Sequence, residues 1–497
     1  MAETVPATWL LSGLCLLPEE AGHRPNRRTV EIRSGRIVAL YLPEKAPTPA
    51  PGDTVFDAQR HLISPGLVNA HTHSPDNLIR SSAPDLPLEL WSLHSAAGRE
   101  ARTEREITVA ALLGAVEMLR TGTTTVLDHI RLSPYPDAAG LNAAASAYQA
   151  AGMRAIIAPV VADKPVVETL PFEPADLQPG AVSGYGRGPM MPAAEQIALV
   201  DAFLDQWHGV DGRILGAIGP SGPQRCSGGL LEGAAELSER RSVLLHTHLL
   251  ETRAQRAMGF KLYGRGMVKA LAERRILSRR ANLVHAIWLE PGDVEIIADT
   301  GAAIVHNPVS NARLGSGFCR LPAIMSRGVR VALGTDSACC NDSNNLLETV
   351  KWAALVHNSL TSDPEHWIGP ERALALATRL GADALGLSAV TGAIEPGLSA
   401  DLTLFRLDVP SFVPLIDPVR QLVMAESGAA VDMVMVAGEV VFRDGKCVRV
   451  DEDALWAEAH ELAQRRLAGN RSVYAAAAEL SDPIRRMYRR LDQEERA

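Results

Sequence analysis

The sequence predicts an α/β chain: a (β/α)8 barrel, the TIM-barrel architecture, with a small β-sandwich domain built from both chain ends. Three observations predict it. Strand-like runs alternate with helical patterns over roughly 330 residues, the signature of one barrel rather than several separate domains. Short strands recur at both ends of the chain, and neither set alone has enough of them to close a core. Histidines and acids end several of the apolar runs, and a closed barrel brings those C-terminal ends to one face.

Residues 1–62 form the N-terminal part of the sandwich. Within them, Val30 to Leu40 alternates apolar and polar residues around a Ser34-Gly35 turn, which predicts a hairpin. A proline-rich stretch at 43–51 reads as a surface connection. The barrel follows over 63–392. Its eight strand runs fall at 63–73, 124–130, 154–161, 213–218, 243–248, 281–285, 303–305 and 329–333. The clearest helices between them are 103–121, 192–207, 230–241 and 292–300. Residues 393–447 return to the sandwich, with strands at 401–406 and 433–443 and an Asp444-Gly445 turn. Residues 448–497 form a helical extension, Ala-, Glu- and Arg-rich from 451 onward, which reads as a surface helix or an oligomer contact.

Composition bounds the function. The chain has 497 residues, a 46% hydrophobic share and a 22% charged share, which excludes a disordered or fibrous protein. The net charge is −9 and no stretch is strongly basic, so there is no electrostatic footprint for nucleic acid. No apolar run approaches the ~20 residues that span a bilayer. The N-terminal residues lack the basic start of a secretory signal. Six cysteines without a CxxC framework read as buried fillers in a reducing compartment, so the expectation is a cytoplasmic protein. Aromatic residues are only 4%, which suits a helix-and-strand enzyme more than an antibody-like sandwich.

Chemistry concentrates at the strand ends. In His71-Thr72-His73 the two imidazoles stand at i and i+2, so a strand presents both on one side. Neutral imidazole nitrogens at that spacing chelate a divalent metal well. His246-Thr247-His248 repeats the pattern, with Glu251 three residues beyond. His285 and Asp336 end two further runs. Of the 14 histidines, His23, His61, His94, His208, His357, His366 and His460 have no such setting and read as structural. His246 reads as a hydrogen-bond partner beneath the metal. His306 and Asn311 read as shaping the loop after the seventh strand.

Taken together, these motifs resemble the amidohydrolase superfamily, in its mononuclear-metal deaminase and chlorohydrolase branch. The resemblance runs from about residue 25 to residue 447 and rests on order and spacing together. Its motifs are Pro65-Gly66-Leu67-Val68-Asn69-Ala70-His71-Thr72-His73, Gly122-Thr123-Thr124-Thr125 and His246-Thr247-His248-Leu249-Leu250-Glu251-Thr252. It continues through His285, His306-Asn307-Pro308-Val309-Ser310-Asn311, Gly334-Thr335-Asp336-Ser337 and the stretch from Gly392 to Asp401-Leu402. The resemblance implies that His71, His73, His248 and Asp336 bind one metal, Zn2+ or Fe2+. It implies that Glu251 shuttles the proton to the ring or leaving group, that His285 hydrogen-bonds the attacking water or substrate, and that Asp336 also takes a proton from that water. A metal-activated water and a pocketed acid are what hydrolysis at an electron-poor carbon needs at neutral pH.

Two details refine this. Binuclear members carry a bridging lysine on the fourth strand, and Arg213 to Pro220 contains none, which favours one metal. Purine-acting members carry a histidine in a Pro-His-Ala-Pro pattern after that strand, where this chain reads Pro220-Ser221-Gly222-Pro223. Triazine hydrolases also lack that histidine. The segment from Ser74 to Trp91 is expected to cover the pocket, with Asn77, Trp91, His129 and Ser221 as candidate substrate contacts.

The expected reaction is hydrolytic deamination of an amino-substituted nitrogen heterocycle. The nearest alternative uses the same machinery on an amide, urea, carbamate or N-alkylamine nitrogen, or on a C–Cl bond of a triazine-like substrate. A non-catalytic scaffold is the remaining class, disfavoured because all four ligands are present. The expected partners are a small-molecule substrate and further copies of the chain, as a homodimer or larger, with neither nucleic acid nor membrane.

Overall fold

The computed structural model describes residues 6–19, 23–96, 101–177, 190–469 and 471–496. The first four residues, read above for their missing basic start, lie outside these.

Strands from both chain ends share one sheet. From the N-terminal side come β1 (Thr8–Pro18), β2 (His23–Arg33), β3 (Arg36–Tyr41), β4 (Thr54–Asp57) and β5 (His61–Pro65). The Ser34-Gly35 turn links β2 to β3, and both residues take positive φ, 49° and 77°, as a twisted two-residue hairpin requires. The barrel strands are β6 (Leu67–Thr72), β7 (Thr123–Asp128), β8 (Arg154–Ile157), β10 (Ile214–Gly216), β12 (Leu245–Leu249), β13 (Ala281–His285), β14 (Ala303–His306) and β15 (Arg330–Leu333). Two short strands, β9 (Val160–Val161) and β11 (Gly219–Pro220), pair with each other. The chain then returns through β16 (Leu402–Arg406), β17 (Val431–Val436), β18 (Glu439–Arg443) and β19 (Lys446–Cys447).

The small sheet runs β19-β18-β17-β16-β5-β1-β2-β3, with β4 on β1. Its two wings meet where the Gly35 and Gly438 turns touch. A Cβ on Gly35 would lie 2.5 Å from the Ala437 carbonyl oxygen, so only glycine permits the approach. Leu10, Val30, Ile63, Leu402 and Met435 fill the core between the wings.

The apolar run at 63–73 is divided between the two sheets. Its first residues pair with β16, and after Gly66 the chain enters the barrel as β6. The barrel consists of two four-stranded parallel sheets, β6-β7-β8-β10 and β12-β13-β14-β15. Single parallel bridges join them, Ile218 to Leu245 on one side and Thr72 to Asp336 on the other. Each predicted helix is present within two residues of its expected bounds: Glu104–Arg120, Ala193–Trp207, Gly228–Arg241 and Asp293–Thr300. The Glu104–Arg120 helix starts on a Thr103/Glu106 capping box, which satisfies two otherwise unpaired N–H groups.

One buried ion pair fastens the small sheet to the barrel. The Arg154 guanidinium on β8 donates to both Asp401 carboxylate oxygens, at 2.8 and 3.2 Å, and to Ser399. Removing either partner would leave a buried charge unpaired, at a cost of about 3–5 kcal/mol.

The C-terminal extension packs on the barrel rather than standing off it. Helix Glu452–Gly469 pairs Arg466 with Glu106, and helix Ser481–Arg496 buries Ile484 and Met487. The six cysteines are free and buried, and burial pushes the Cys226 and Cys319 thiols up to about 12. Among the described residues no helix is long and apolar enough to cross a membrane.

Candidate metal centre and active site

His71 lies near the end of β6 and His73 directly follows it, His248 lies in β12, and Asp336 follows β15. The barrel's closing bridge runs through this point, because the Asp336 N–H donates to the His71 carbonyl oxygen at 2.9 Å. Asp336 and His285 hold positive φ, 63° and 77°, a sparsely populated backbone that costs on the order of 1–3 kcal/mol each. Gly334 makes room: a Cβ there would sit 2.7 Å from the His71 Cβ.

The donor atoms converge. His73 Nε2 lies 3.3 Å from His248 Nε2, and Asp336 Oδ1 lies 3.5 Å from His71 Nε2 and 3.6 Å from His73 Nε2. A tetrahedral ion with bonds of about 2.1 Å would place its ligands about 3.4 Å apart. His71 Nε2 is buried and has no hydrogen-bond partner among the described residues, which is the condition of a ligand nitrogen. Three imidazoles and one carboxylate therefore fit a single zinc or ferrous ion.

The opposite ring nitrogens are anchored. His73 Nδ1–H donates to the His129 carbonyl oxygen at 2.6 Å, and His248 Nδ1–H to the Ser221 carbonyl oxygen at 2.5 Å. His71 Nδ1 meets His246 Nε2 at 2.8 Å. Such partners fix ring orientation and tautomer. Burial lowers the His71 imidazole to about 4, and burial with neighbouring imidazoles takes His248 and His246 well below their ordinary range. All three are neutral at pH 7, the state that binds metal. Burial alone would raise the Asp336 carboxyl, but the imidazoles of His71, His285 and His73 outweigh it and hold the group well below the usual range. Ser310 Oγ–H and the Ser337 N–H donate to its two oxygens, at 2.6 and 2.7 Å.

Glu251 stands beside this cluster. Its Oε2 is 3.4 Å from His285 Nε2, and His285 Nδ1–H donates to Asn311 Oδ1 at 2.9 Å. Burial, then the nearby charges of Asp336 and Glu89, push the Glu251 carboxyl well above its ordinary range. A buried carboxyl whose pKa is pushed up in this way is suited to act as a general acid.

A cavity opens over these groups, lined by His73, His248, Glu251, His285, Asp336 and Trp91, with Ser221 further round its wall. Trp91 and Ser221, two of the candidate substrate contacts, line this cavity. Asn77 does not: its amide donates to the Ala110 carbonyl oxygen and its Oδ1 accepts from Asn344, because the Ser74–Ile79 turn packs it against the Glu104–Arg120 helix. His129 is fully buried beneath the cavity, 4.9 Å ring to ring from His248, with Nε2–H donating to the Gly219 carbonyl oxygen. Its ligand atom still falls within 4.8 Å of those of His71, His73 and His248. Glu89, Arg131 and Gln255 also line the cavity, and sequence reasoning missed them. They sit in irregular or helical segments without a local pattern.

A family model described as the amidohydrolase family matches residues 62–441. The chain belongs to the amidohydrolase family. Membership agrees with the resemblance read from the motifs, and it makes the chain a hydrolase. Among curated relatives, a 5-methylthioadenosine/S-adenosylhomocysteine deaminase of Nitratidesulfovibrio vulgaris is 32% identical over 466 residues, covering 92% of this chain and 98% of the relative. A 5'-deoxyadenosine deaminase of Methanothermobacter thermautotrophicus is 32% identical over 451 residues, covering 89% and 95%. Among solved structures, an adenosine deaminase from Xanthomonas campestris with bound zinc superimposes with a TM-score of 0.82 at 26% identity, covering 93% of this chain and 98% of that one. An atrazine chlorohydrolase from Arthrobacter aurescens TC1 with zinc does so at 0.81 and 25% identity, covering 92% and 100%.

Proposed function

We propose that this amidohydrolase removes the exocyclic amino group of an amino-substituted nitrogen heterocycle as ammonia, with 6-aminopurine nucleosides as the first class to test. The observation that carries the reading is the buried Glu251 carboxyl, 3.4 Å from His285 and facing the same cavity as the donor cluster. The deaminase names of the relatives support the substrate class.

In this reading His71, His73, His248 and Asp336 hold one divalent ion. When bound, the ion supplies a Lewis acid that brings the pKa of water toward ~7. Asp336 accepts the proton that the attacking water gives up. Glu251 delivers its proton to the ring nitrogen. The proton taken up by Asp336 passes to the departing amine, which is a poor leaving group until protonated. The hydroxyl proton left on the attacked carbon returns to Glu251 as the carbonyl forms and ammonia leaves. His285, its Nδ1–H fixed on Asn311, directs Nε2 toward Glu251 and Asp336 and orients the attacked carbon's substituent. Trp91, locked by its indole N–H on the Cys339 carbonyl oxygen, walls the cavity for a flat ring. Tight burial of these groups excludes bulk water and strengthens each interaction.

Ser221 favours a second reading, because purine-acting members of the branch carry a histidine there. In that reading the same groups release chloride, an alkylamine, or an amide, urea or carbamate nitrogen. Ammonia release across aminopurines, aminopyrimidines, pterins and aminotriazines separates the two, with chloride release as the counter-assay. A cytoplasmic homodimer or larger assembly belongs to the same reading. The free, buried cysteines support the compartment, and exposed Ile416 and Leu360 offer apolar contact surface. Gel filtration tests the assembly.

A further inference from the structure

The C-terminal helix Ser481–Arg496 packs on the outside of segments that wall the active-site cavity. Its apolar face, with Ile484, Met487 and Leu491, packs against Leu90 and Leu93 of the Leu88–Ala96 helix and against Ala254, three residues beyond Glu251. Polar contacts pin both sides. Asp492 pairs with Arg253, and Arg490 donates to Asp176 and to the Pro171 carbonyl oxygen. The segments it joins, 88–96, 166–177 and 251–263, all contribute to the cavity wall.

A hydrogen-bonded chain runs inward from this helix. The Tyr488 hydroxyl donates to Glu89 Oε2, across 399 residues of sequence. The other Glu89 oxygen accepts from Thr252 Oγ1–H at 2.6 Å. Thr252 caps the Arg253–Tyr263 helix, its Oγ1 accepting from the Gln255 N–H at 3.2 Å. The Gln255 side chain closes the chain by accepting from the Glu251 N–H at 2.8 Å. Glu89, Thr252, Gln255 and Glu251 line one cavity. Glu89 is buried, so each of its oxygens needs a donor, and only Tyr488 among the described contacts supplies the second.

We propose that Tyr488 is a positioning residue for Glu251, acting through Glu89 and Thr252, so that the C-terminal helix is part of the active site. The inference rests on Glu251 being the proton donor of the proposed reaction. Without the Tyr488 hydroxyl, the Glu89 carboxylate loses a charge-assisted bond and is free to swing from Thr252. The cap then loosens directly beside the acid. Geometry at Glu251 matters in the transition state and little in substrate binding, so the loss falls on kcat.

The test is steady-state ammonia release by the full-length, metal-loaded enzyme, as wild type and as Tyr488→Phe, Glu89→Gln, the double variant and Asp492→Asn. Tyr488→Phe should lower kcat roughly 10–100-fold, the worth of one hydrogen bond to a charged group, with KM within about twofold and full metal content. The double variant should be no slower than Glu89→Gln alone, because both break one chain. Asp492→Asn, which cuts only a rim contact of the same helix, should keep wild-type kcat. If Tyr488→Phe fails to fold, Glu89→Gln carries the same kcat, KM and metal expectations. A wild-type kcat in Tyr488→Phe, a loss carried in KM or metal content, or an equal loss in Asp492→Asn would overturn the assignment. A wild type that turns over no amino heterocycle overturns the functional reading and this assignment with it. An active wild type with an equally active Tyr488→Phe overturns this assignment alone.

Discussion

His246 Nε2 lies 2.8 Å from His71 Nδ1, with ring centroids 5.1 Å apart and ring planes 28° apart, an edge-to-edge pairing, so a histidine that faces no substrate fixes one that faces the metal site. For His71 Nε2 to offer its lone pair outward, the proton must sit on Nδ1 and be donated to His246. His246→Ala should therefore weaken metal affinity by about 10–100-fold while leaving the fold intact. Competition with a metal-sensitive chelating dye measures it. Wild-type affinity in that variant would deny the pairing a role.

Glu251→Gln should keep its metal and lose about 10²–10⁴-fold in turnover, the range for a general acid. Metal content and kcat are measured on the same preparation. Near-normal turnover would remove Glu251 from the chemistry.

Ser221 gives its backbone oxygen to His248, and the residue also lines the cavity. Ser221→Ala should leave metal content unchanged and alter KM. Loss of metal in that variant would mean that the loop, rather than the carbonyl alone, depends on the hydroxyl.

Much of this arrangement was legible because it is local. Two histidines at i and i+2 in a strand must share a face, and an apolar run before them marks a buried strand. His246 was legible as a hydrogen-bond partner of the donor cluster for the same reason. Asn77 and His129 were harder, since a short 3-10 turn and a barrel layer decide where they point. Periodicity carries neither. The run at 63–73 read as one strand because alternation does not mark the bend at Gly66. The Tyr488–Glu89 contact has no local signature at all. It exists only because a terminal helix folds back over the barrel mouth.

His23 gives a pH signature away from the site. It is buried, with Nε2 3.2 Å from Thr378 Oγ1, and burial followed by the Arg379 charge lowers it to about 4. The unfolded chain binds that proton near 6.5, so His23 contributes full stability above about pH 6.5. That contribution is lost as pH falls from there toward about 4, on the order of 3 kcal/mol in all. Urea unfolding of wild type and His23→Gln from pH 4.5 to 8 reads it as a difference. The acid-side slope should be shallower in the variant, and parallel curves would contradict it.

The most direct test is metal content and ammonia release measured together, on wild type and His73→Ala. The account predicts one divalent ion per wild-type chain, ammonia from an amino heterocycle, and loss of both in the variant. A wild type that binds no zinc or iron even when supplied with it, or a His73→Ala protein that keeps both metal and turnover, would contradict it.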